Sequence, residues 1–160
     1  MADQYVLKAC DIAKLPGTEK SHFLNDKAQR NNKSLGDLTG LTGLGFHVIE
    51  VAPGVESTEY HMHYYEDECT YVLSGQGIVT IGDEETEIGP GDFIGYRAGG
   101  LAHTMKATGH ENLVCIVVGQ RLAHDVGDYP RREKRIYRQA GLPWNLVDLK
   151  SISEPNGGKK

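Results

Sequence analysis

Residues 59–82 decide the fold of this chain, and they read EYHMHYYEDECTYVLSGQGIVTIG. On either side of this stretch, short segments rich in β-branched and aromatic residues recur between turn sequences such as Pro-Gly and Gly-Asp. The predicted strands are Phe46–Val51, Glu59–Tyr64, Thr70–Leu73, Ile78–Ile81, Thr86–Ile88, Phe93–Tyr96, Ala102–Met105 and Leu113–Val118. Strands of this length and spacing indicate an all-β sandwich or barrel. No amphipathic helix is predicted between them, which argues against parallel β-α-β units.

The composition agrees with this interpretation. The 160 residues suffice for one domain. Glycine is abundant at 20 residues, and fifteen of these lie between Gly36 and Gly119. Because glycine weakens helix interiors and serves turns and bulges, this central part is not expected to be a helix bundle.

Several classes of protein are disfavoured. The longest apolar run, Leu113–Val118, has six residues, against the ~20 of a membrane helix. The N-terminus resembles no signal peptide, so we expect a cytoplasmic protein. Three cysteines without a CxxC pair make a disulfide framework or a cysteine zinc cluster improbable. The net charge of −5 disfavours nucleic-acid binding, and we interpret the basic run at 131–138 as a solvated or intersubunit surface.

The chain divides into a central barrel and two extensions. The barrel is predicted at residues 45–120, and an irregular N-terminal extension at 1–44 packs on it. An irregular C-terminal extension follows at 121–160, with a short helix near Arg132–Ala140. The cluster around Trp144 is expected to dock on the barrel, because a large aromatic side chain suits a free tail poorly. The last residues are expected to be mobile.

The chemistry is concentrated in histidines and carboxylates. His61 and His63 project from one face of a strand, so both imidazoles can reach one cation. An acid from the next loop and His103 from a later strand could complete the site. Spacing within the chain leaves Glu66, Asp67 and Glu68 open as that acid. Three imidazoles and one carboxylate suit Mn, Fe(II), Co, Ni or Zn better than Ca or Mg.

Two stretches of the chain resemble the two motifs of the cupin superfamily. The first runs Pro53-Gly54, six residues, His61-x-His63, four residues, Glu68, six residues, Gly75; the second comprises Gly91-Asp92, Arg97–Gly100 and His103. The sequence departs from the second motif, because Arg97 or Ala98 stands where proline is usual and Ala107 where asparagine is usual. The resemblance covers about residues 45–120.

This resemblance implies a small antiparallel double-stranded β-helix, or jelly-roll barrel, whose interior holds one divalent transition metal. The family's ligands fall on His61, His63, Glu68 and His103, so the motif selects Glu68 among the three acids. The resemblance implies a homodimer paired through outer sheets as well. The charge and the short apolar runs predict no nucleic-acid or membrane partner.

The resemblance leaves the reaction open, since cupins include enzymes and binding proteins. We expect a metal-binding protein acting on a small polar molecule, with a sugar-phosphate isomerase as the leading prediction. An Fe(II)-dependent dioxygenase and a non-catalytic ligand-binding protein are the alternatives.

Residue alternation along the strands predicts the walls of the pocket. It places Glu59 and Tyr65 on the face of His61, and Leu101 and Met105 beside His103. Thr70 and Val72 are expected to follow Glu68. Glu59 is a candidate general base. Arg97 is a candidate clamp for a carboxylate or phosphate, unless it lies at an exposed strand end.

Overall fold

The computed structural model describes residues 4–155 and residue 157. It contains two short helices, two single-turn 3₁₀ segments (Pro130–Arg132 and Leu149–Ser151) and thirteen strands within these residues. The helices are α1 (Ala9–Lys14) and α2 (Leu35–Leu38). The strands are β1 (Thr18–His22), β2 (Asn25–Ser34), β3 (Leu44–Val51), β4 (Met62–His63), β5 (Glu68–Ser74), β6 (Gly77–Ile81), β7 (Glu84–Ile88), β8 (Phe93–Tyr96), β9 (His103–Ala107), β10 (Leu113–Gln120), β11 (His124–Tyr129), β12 (Lys134–Gln139) and β13 (Asn145–Asp148).

The strands form three antiparallel sheets. The largest has the order β1-β2-β3-β10-β5-β8, a second has β13-β12-β11-β4, and the third has β7-β6-β9. Strand β10 lies between β3 and β5, and its pairing with β3 runs in unbroken register from Leu113 opposite Val51 to Gln120 opposite Leu44. Non-consecutive neighbours of this kind are typical of a jelly-roll connectivity. The all-β antiparallel fold is therefore confirmed.

The hydrophobic core lies between the six-stranded and the three-stranded sheets. Inward side chains alternate along the strands, as the period of two requires. The core consists of Ile49, Val51, Val72, Val79, Ile88, Ile94, Tyr96, Met105, Ala107, Leu113 and Cys115. His103 and Glu68 occupy the first positions of β9 and β5, whose following inward residues, Met105 and Thr70, are buried. The candidate site thus continues the inner face of the core.

The predicted central strands correspond to β3–β10 of the structure. The largest difference concerns Glu59–Tyr64, which contracts to the two residues of β4. His61 nevertheless remains in strand-like contact, because it forms an isolated antiparallel bridge with His103.

The two extensions are more regular than the sequence suggested. Strands β1 and β2 form a hairpin that joins the edge of β3, so the N-terminal extension enlarges the largest sheet. The short helix predicted near Arg132–Ala140 is wrong, because residues 134–139 form β12 between β11 and β13. Pairing on both sides overrides the helix-forming tendency of this stretch. The boundaries at residues 44/45 and 120/121 stay a prediction. Most of the predicted mobile end, residues 156 and 158–160, lies outside the described residues.

The basic run at 131–138 forms contacts within the chain. Four of its five basic side chains pair with carboxylates, in the pairs Arg132–Glu59, Lys134–Asp148, Arg135–Asp128 and Arg138–Asp125. The guanidinium of Arg131 lies 4.3 Å from the ring centroid of Tyr60. The run is therefore largely neutralised inside the fold. In the part of the chain that the structure describes, no helix has the length and apolar character needed to cross a membrane.

Candidate metal centre

Three of the four predicted ligands meet at one point. One ligand atom from each of His61, His63 and Glu68 lies within 4.8 Å of the others. The two histidine rings are close to perpendicular, with centroids 5.0 Å apart and an interplanar angle of 87°. This is a spacing from which three side chains could ligate one ion.

His103 lies beside this group, as predicted. Its backbone pairs with that of His61, and the ring centroids of the two histidines are 4.7 Å apart. The Nε2 atom of His103 is 3.8 Å from Oε1 of Glu68, and it is buried without a hydrogen-bond partner. Tyr96 stacks on the ring of His103, with centroids 3.6 Å apart. A metal ion bound here would give this buried, unpaired nitrogen a partner.

Two of the histidines are held in the tautomer that metal binding needs. The Nδ1 atom of His61 lies 2.8 Å from the carbonyl oxygen of Glu59, and Nδ1 of His63 lies 2.8 Å from Oδ2 of Asp125. Nδ1 of His63 also lies 3.2 Å from Nη2 of Arg138, but that nitrogen already donates to two carboxylates. Because the oxygens of Glu59 and Asp125 are the closer partners, we assign the proton of each ring to Nδ1, which leaves the lone pair on each Nε2. His103 has a longer contact, 3.5 Å from Nδ1 to the carbonyl oxygen of Leu101. Such outer contacts orient ligands in metal sites.

The charge states suit a divalent transition metal. Burial lowers the pKa of His61 to about 3, so this imidazole is neutral at neutral pH. Burial alone would raise the pKa of Glu68, but His103 and the neighbouring imidazoles outweigh it and lower that pKa to about 2. His61 and Glu68 are therefore in the charge states that suit the predicted metals.

A second cluster next to this centre already contains a cation. His63, Glu66 and Asp125 also bring ligand-type atoms together. The guanidinium of Arg138, however, hydrogen-bonds to both carboxylates. Glu66 and Asp125 thus both bind Arg138, and Asp125 also forms a hydrogen bond with His63. Neither Asp125 nor Arg138 was singled out from the sequence, because they approach His63 only after β11 pairs with β4.

The centre opens into a cavity of about 380 Å³, which is within the usual range for small-molecule sites. His61, His63 and Glu68 line it together with residues from both extensions. Those from the N-terminal hairpin include Lys20, His22, Phe23 and Arg30; those from the C-terminal extension include Tyr129, Ile136, Arg138 and Trp144. Rings of the hairpin pack against rings of the C-terminal extension; for example, the ring centroids of His22 and Tyr129 are 5.3 Å apart. The hairpin residues were not predicted, because the N-terminal segment was expected to be irregular.

The remaining predicted pocket residues occupy varied places. Met105, Thr70 and Val72 are buried and are not among the residues that line the cavity of His61, so they are not the pocket walls that alternation predicted. Leu101 is 66% exposed and precedes β9, which begins at His103. Tyr65 is 55% exposed.

The two candidate functional residues outside the ligand set lie away from the 380 Å³ cavity. Glu59 is buried, but its carboxylate pairs with Arg132 and lines a separate pocket of about 400 Å³. Arg97 is exposed after the end of β8 and is not among the residues that line the cavity of His61.

Comparison with known proteins relates the chain to a family and to solved structures. The family model for the Cupin domain matches residues 47–119, and the chain matches no curated protein. A "Putative sugar phosphate isomerase" from Acidithiobacillus ferrooxidans ATCC 23270 is 50% identical over 94% of this chain and 96% of that chain, with a TM-score of 0.91. A "sugar phosphate isomerase from a cupin superfamily" from Silicibacter pomeroyi DSS-3 is 22% identical over 88% of this chain and 90% of that chain, with a TM-score of 0.76. This second likeness concerns the fold alone.

Proposed function

Because this chain belongs to the cupin superfamily, we propose that it is a metal-dependent enzyme that isomerises a phosphorylated sugar. The observation that carries the proposal is the opening of the His61, His63 and Glu68 group into a cavity of about 380 Å³ lined by cationic and aromatic side chains. The name of the 50% identical structure supports the same reaction class.

We assign His61, His63, Glu68 and His103 as the residues that would hold one divalent transition metal. Such an ion supplies Lewis-acid stabilisation of negative charge on a substrate oxygen. The unpaired Nε2 of His103 and the fixed tautomers of His61 and His63 support this ligand set.

Isomerisation also needs a group that moves a proton. Of the cavity residues outside the ligand set, His22 is the one whose side chain ordinarily titrates near neutrality. Its Nδ1 accepts a hydrogen bond of 3.2 Å from the backbone N–H of Leu24, so the neutral ring carries its proton on Nε2. Burial lowers the pKa of His22, which keeps the ring neutral at pH 7. We therefore propose that His22, rather than Glu59, donates the Nε2 proton to a sugar oxygen, while a separate base removes the proton from the neighbouring carbon.

The first experiment measures the metal and then the reaction. X-ray fluorescence of natively loaded protein identifies the ion, and elemental analysis of the His61→Ala/His103→Ala double variant should show that it is lost. Metal retained at full stoichiometry in a folded double variant would contradict the ligand set.

The second experiment follows aldose and ketose phosphates by NMR in D₂O, with the metal-loaded protein. Isomerisation predicts deuterium at the carbon next to the carbonyl, together with interconversion of the two sugars. The His22→Gln variant should retain the metal and lose about 10²–10⁴-fold in kcat, whereas His110→Gln, a change at an exposed histidine, should behave as the wild type.

Other outcomes identify the alternatives. Substrate-dependent O₂ uptake by an iron-loaded protein would indicate the dioxygenase. Binding of a sugar phosphate without isotope exchange or turnover would indicate the non-catalytic ligand-binding protein. Either result would replace the isomerase proposal.

A further inference from the structure

Arg30 is a partly buried cation without a matching anion. Its Nη1 donates a hydrogen bond of 2.8 Å to the backbone carbonyl of Ser57, but its Nε is buried without a hydrogen-bond partner. Among residues 4–155, no carboxylate forms an ion pair with its guanidinium. A charge placed in this way is costly unless something compensates it. Burial lowers the pKa of Arg30, and the negative charge of Glu68, which lies too far away for an ion pair, offsets this effect only in part.

Lys20 adds a second positive charge at the same place. Lys20 and Arg30 are direct partners across the antiparallel pair β1–β2, so their side chains share one face of the sheet. Both line the cavity that contains His61 and Glu68. Like charges directly opposite each other destabilise a sheet. The hairpin therefore carries two cations that line the cavity of the candidate metal centre and have no ion-pair partner among the described residues.

The other acids near the cavity are already engaged. Glu66 and Asp125 hold Arg138, and Glu68 belongs to the ligand group. An anion that neutralises the Lys20–Arg30 pair would therefore have to come from outside the chain. A guanidinium and an ammonium together carry two positive charges, which match a phosphate monoester of −1.5 to −2 better than a carboxylate of −1.

We propose that Lys20 and Arg30 form an anion subsite that binds the phosphate group of the substrate. The identity of the substrate as a phosphorylated sugar rests on the proposed function, but the binding of phosphate at this place does not. The subsite lies outside residues 47–119, the range that the family model covers. The barrel thus supplies the metal ligands, and the N-terminal hairpin supplies the selection for a phosphorylated substrate.

Calorimetric titration of the full-length protein with inorganic phosphate tests the subsite. Metal is first removed with a chelator and the chelator is dialysed away, so that phosphate cannot bind through a metal ion. The wild type should still bind phosphate, and more weakly as NaCl is added. Acetate, the singly charged probe, should bind more weakly than phosphate.

Variants locate the binding. Arg30→Met should weaken phosphate binding about tenfold or more, since it removes charged hydrogen bonds. Lys20→Met should weaken it less, because Lys20 is exposed. Arg30→Lys keeps the charge without the planar fork, so its affinity should lie between those of wild type and Arg30→Met. Lys27→Met is the matched control, because Lys27 is an exposed cation of β2 that does not line the cavity.

The outcomes separate this inference from the proposed function. Wild-type phosphate affinity in folded Arg30→Met or Lys20→Met would overturn the subsite, even if metal binding and turnover persisted. If Arg30→Met does not fold, Arg30→Lys and Lys20→Met decide. If the protein binds no divalent metal even after it is reloaded with metal salts, phosphate binding that depends on both cations would support the subsite and overturn the metal-dependent enzyme.

Discussion

The most informative single change is Asp125→Asn, because it alters the tautomer of a ligand without touching the ligand. The Asp125 side chain is 1% exposed, and its two oxygens accept from Nδ1 of His63 at 2.8 Å and from the backbone N–H of Tyr65 at 3.1 Å. An asparagine has one acceptor and one donor end. If its NH₂ group faces His63, that ring must accept at Nδ1 and carry its proton on Nε2, where a metal would bind. If the amide has the opposite orientation, its oxygen accepts from His63, but its NH₂ group then faces the backbone N–H of Tyr65, so two donors meet without an acceptor.

Either arrangement penalises the metal-bound form. Changes to outer partners of histidine ligands typically cost 10–100-fold in metal affinity, which corresponds to about 1.4–2.7 kcal/mol. Folding should also weaken, because Arg138 loses one of its two carboxylates, although Glu66 still pairs with it. We expect that stability loss to be about 1–3 kcal/mol. Competition with a chromophoric chelator gives the metal affinity, and urea unfolding of the metal-free protein gives the stability.

Asp128→Asn is the control for this prediction. Asp128 lies on the same strand and also accepts from an arginine, with Nε of Arg135 2.7 Å from its Oδ1, but it contacts Tyr64 rather than a predicted ligand. This variant should lose stability and keep the wild-type metal affinity. The reasoning is refuted if Asp125→Asn binds metal as tightly as the wild type, or if both variants lose metal affinity to the same extent.

Three further predictions concern turns, acid stability and assembly. Gly75 has φ +80°, and an added Cβ would lie 2.3 Å from the carbonyl oxygen of Asn112, whereas Gly54 has φ +79° and nothing within 4 Å. Gly54→Ala should therefore lower the free energy of unfolding in urea by about 1–2 kcal/mol through backbone strain. Gly75→Ala should lower it clearly more, and equal losses would show that the close contact is unimportant. Burial opposes ionisation of Asp128, but hydrogen bonds from Arg135 and Tyr64 outweigh it and hold the pKa of this carboxyl below its ordinary value. Since the folded pKa is below the unfolded one, this stabilisation is present above about pH 4 and is lost as the pH falls. Asp128→Asn should thus lose less stability than the wild type between about pH 5 and 2, and parallel profiles would exclude the contribution. The homodimer stays a prediction, for which light scattering should give twice the 17.6 kDa of one chain, and a mass of 17.6 kDa would contradict it.

The predictable part of the site depends on contacts that are short in sequence or repeated in a motif. Alternation alone places His61 and His63 on one side of a strand. The two motifs also place the remaining residues. The structure joins His61 of the first motif to His103 of the second by a β-bridge, and it begins β5 at Glu68. The strand pattern from β3 to β10 follows from glycine turns and β-branched residues, because both signals are local.

The unpredicted part depends on pairings between distant segments. Asp125 reaches His63 across 62 residues, and Arg30 reaches the carbonyl of Ser57 across 27. Neither contact has a local signature. The polar run Asn25–Ser34 has no alternation that would indicate a strand, and it becomes β2 because β3 offers it an unpaired edge. Likewise, the basic sequence around β12 does not indicate which acidic residues will pair with its side chains.

These distant pairings divide the work of the site between the barrel and its extensions. The barrel strands place His61, Glu68 and His103, so they determine where an ion can be held. The tautomer of His63 depends on Asp125 of β11, and the uncompensated charge of Arg30 comes from β2. A substitution in β2 should therefore change which anion binds while leaving the ligands in place, whereas a substitution at Asp125 should change metal affinity while leaving the Lys20–Arg30 pair intact. If the two effects are independent, their free energies should add in the double variant, as they do for sites without shared partners.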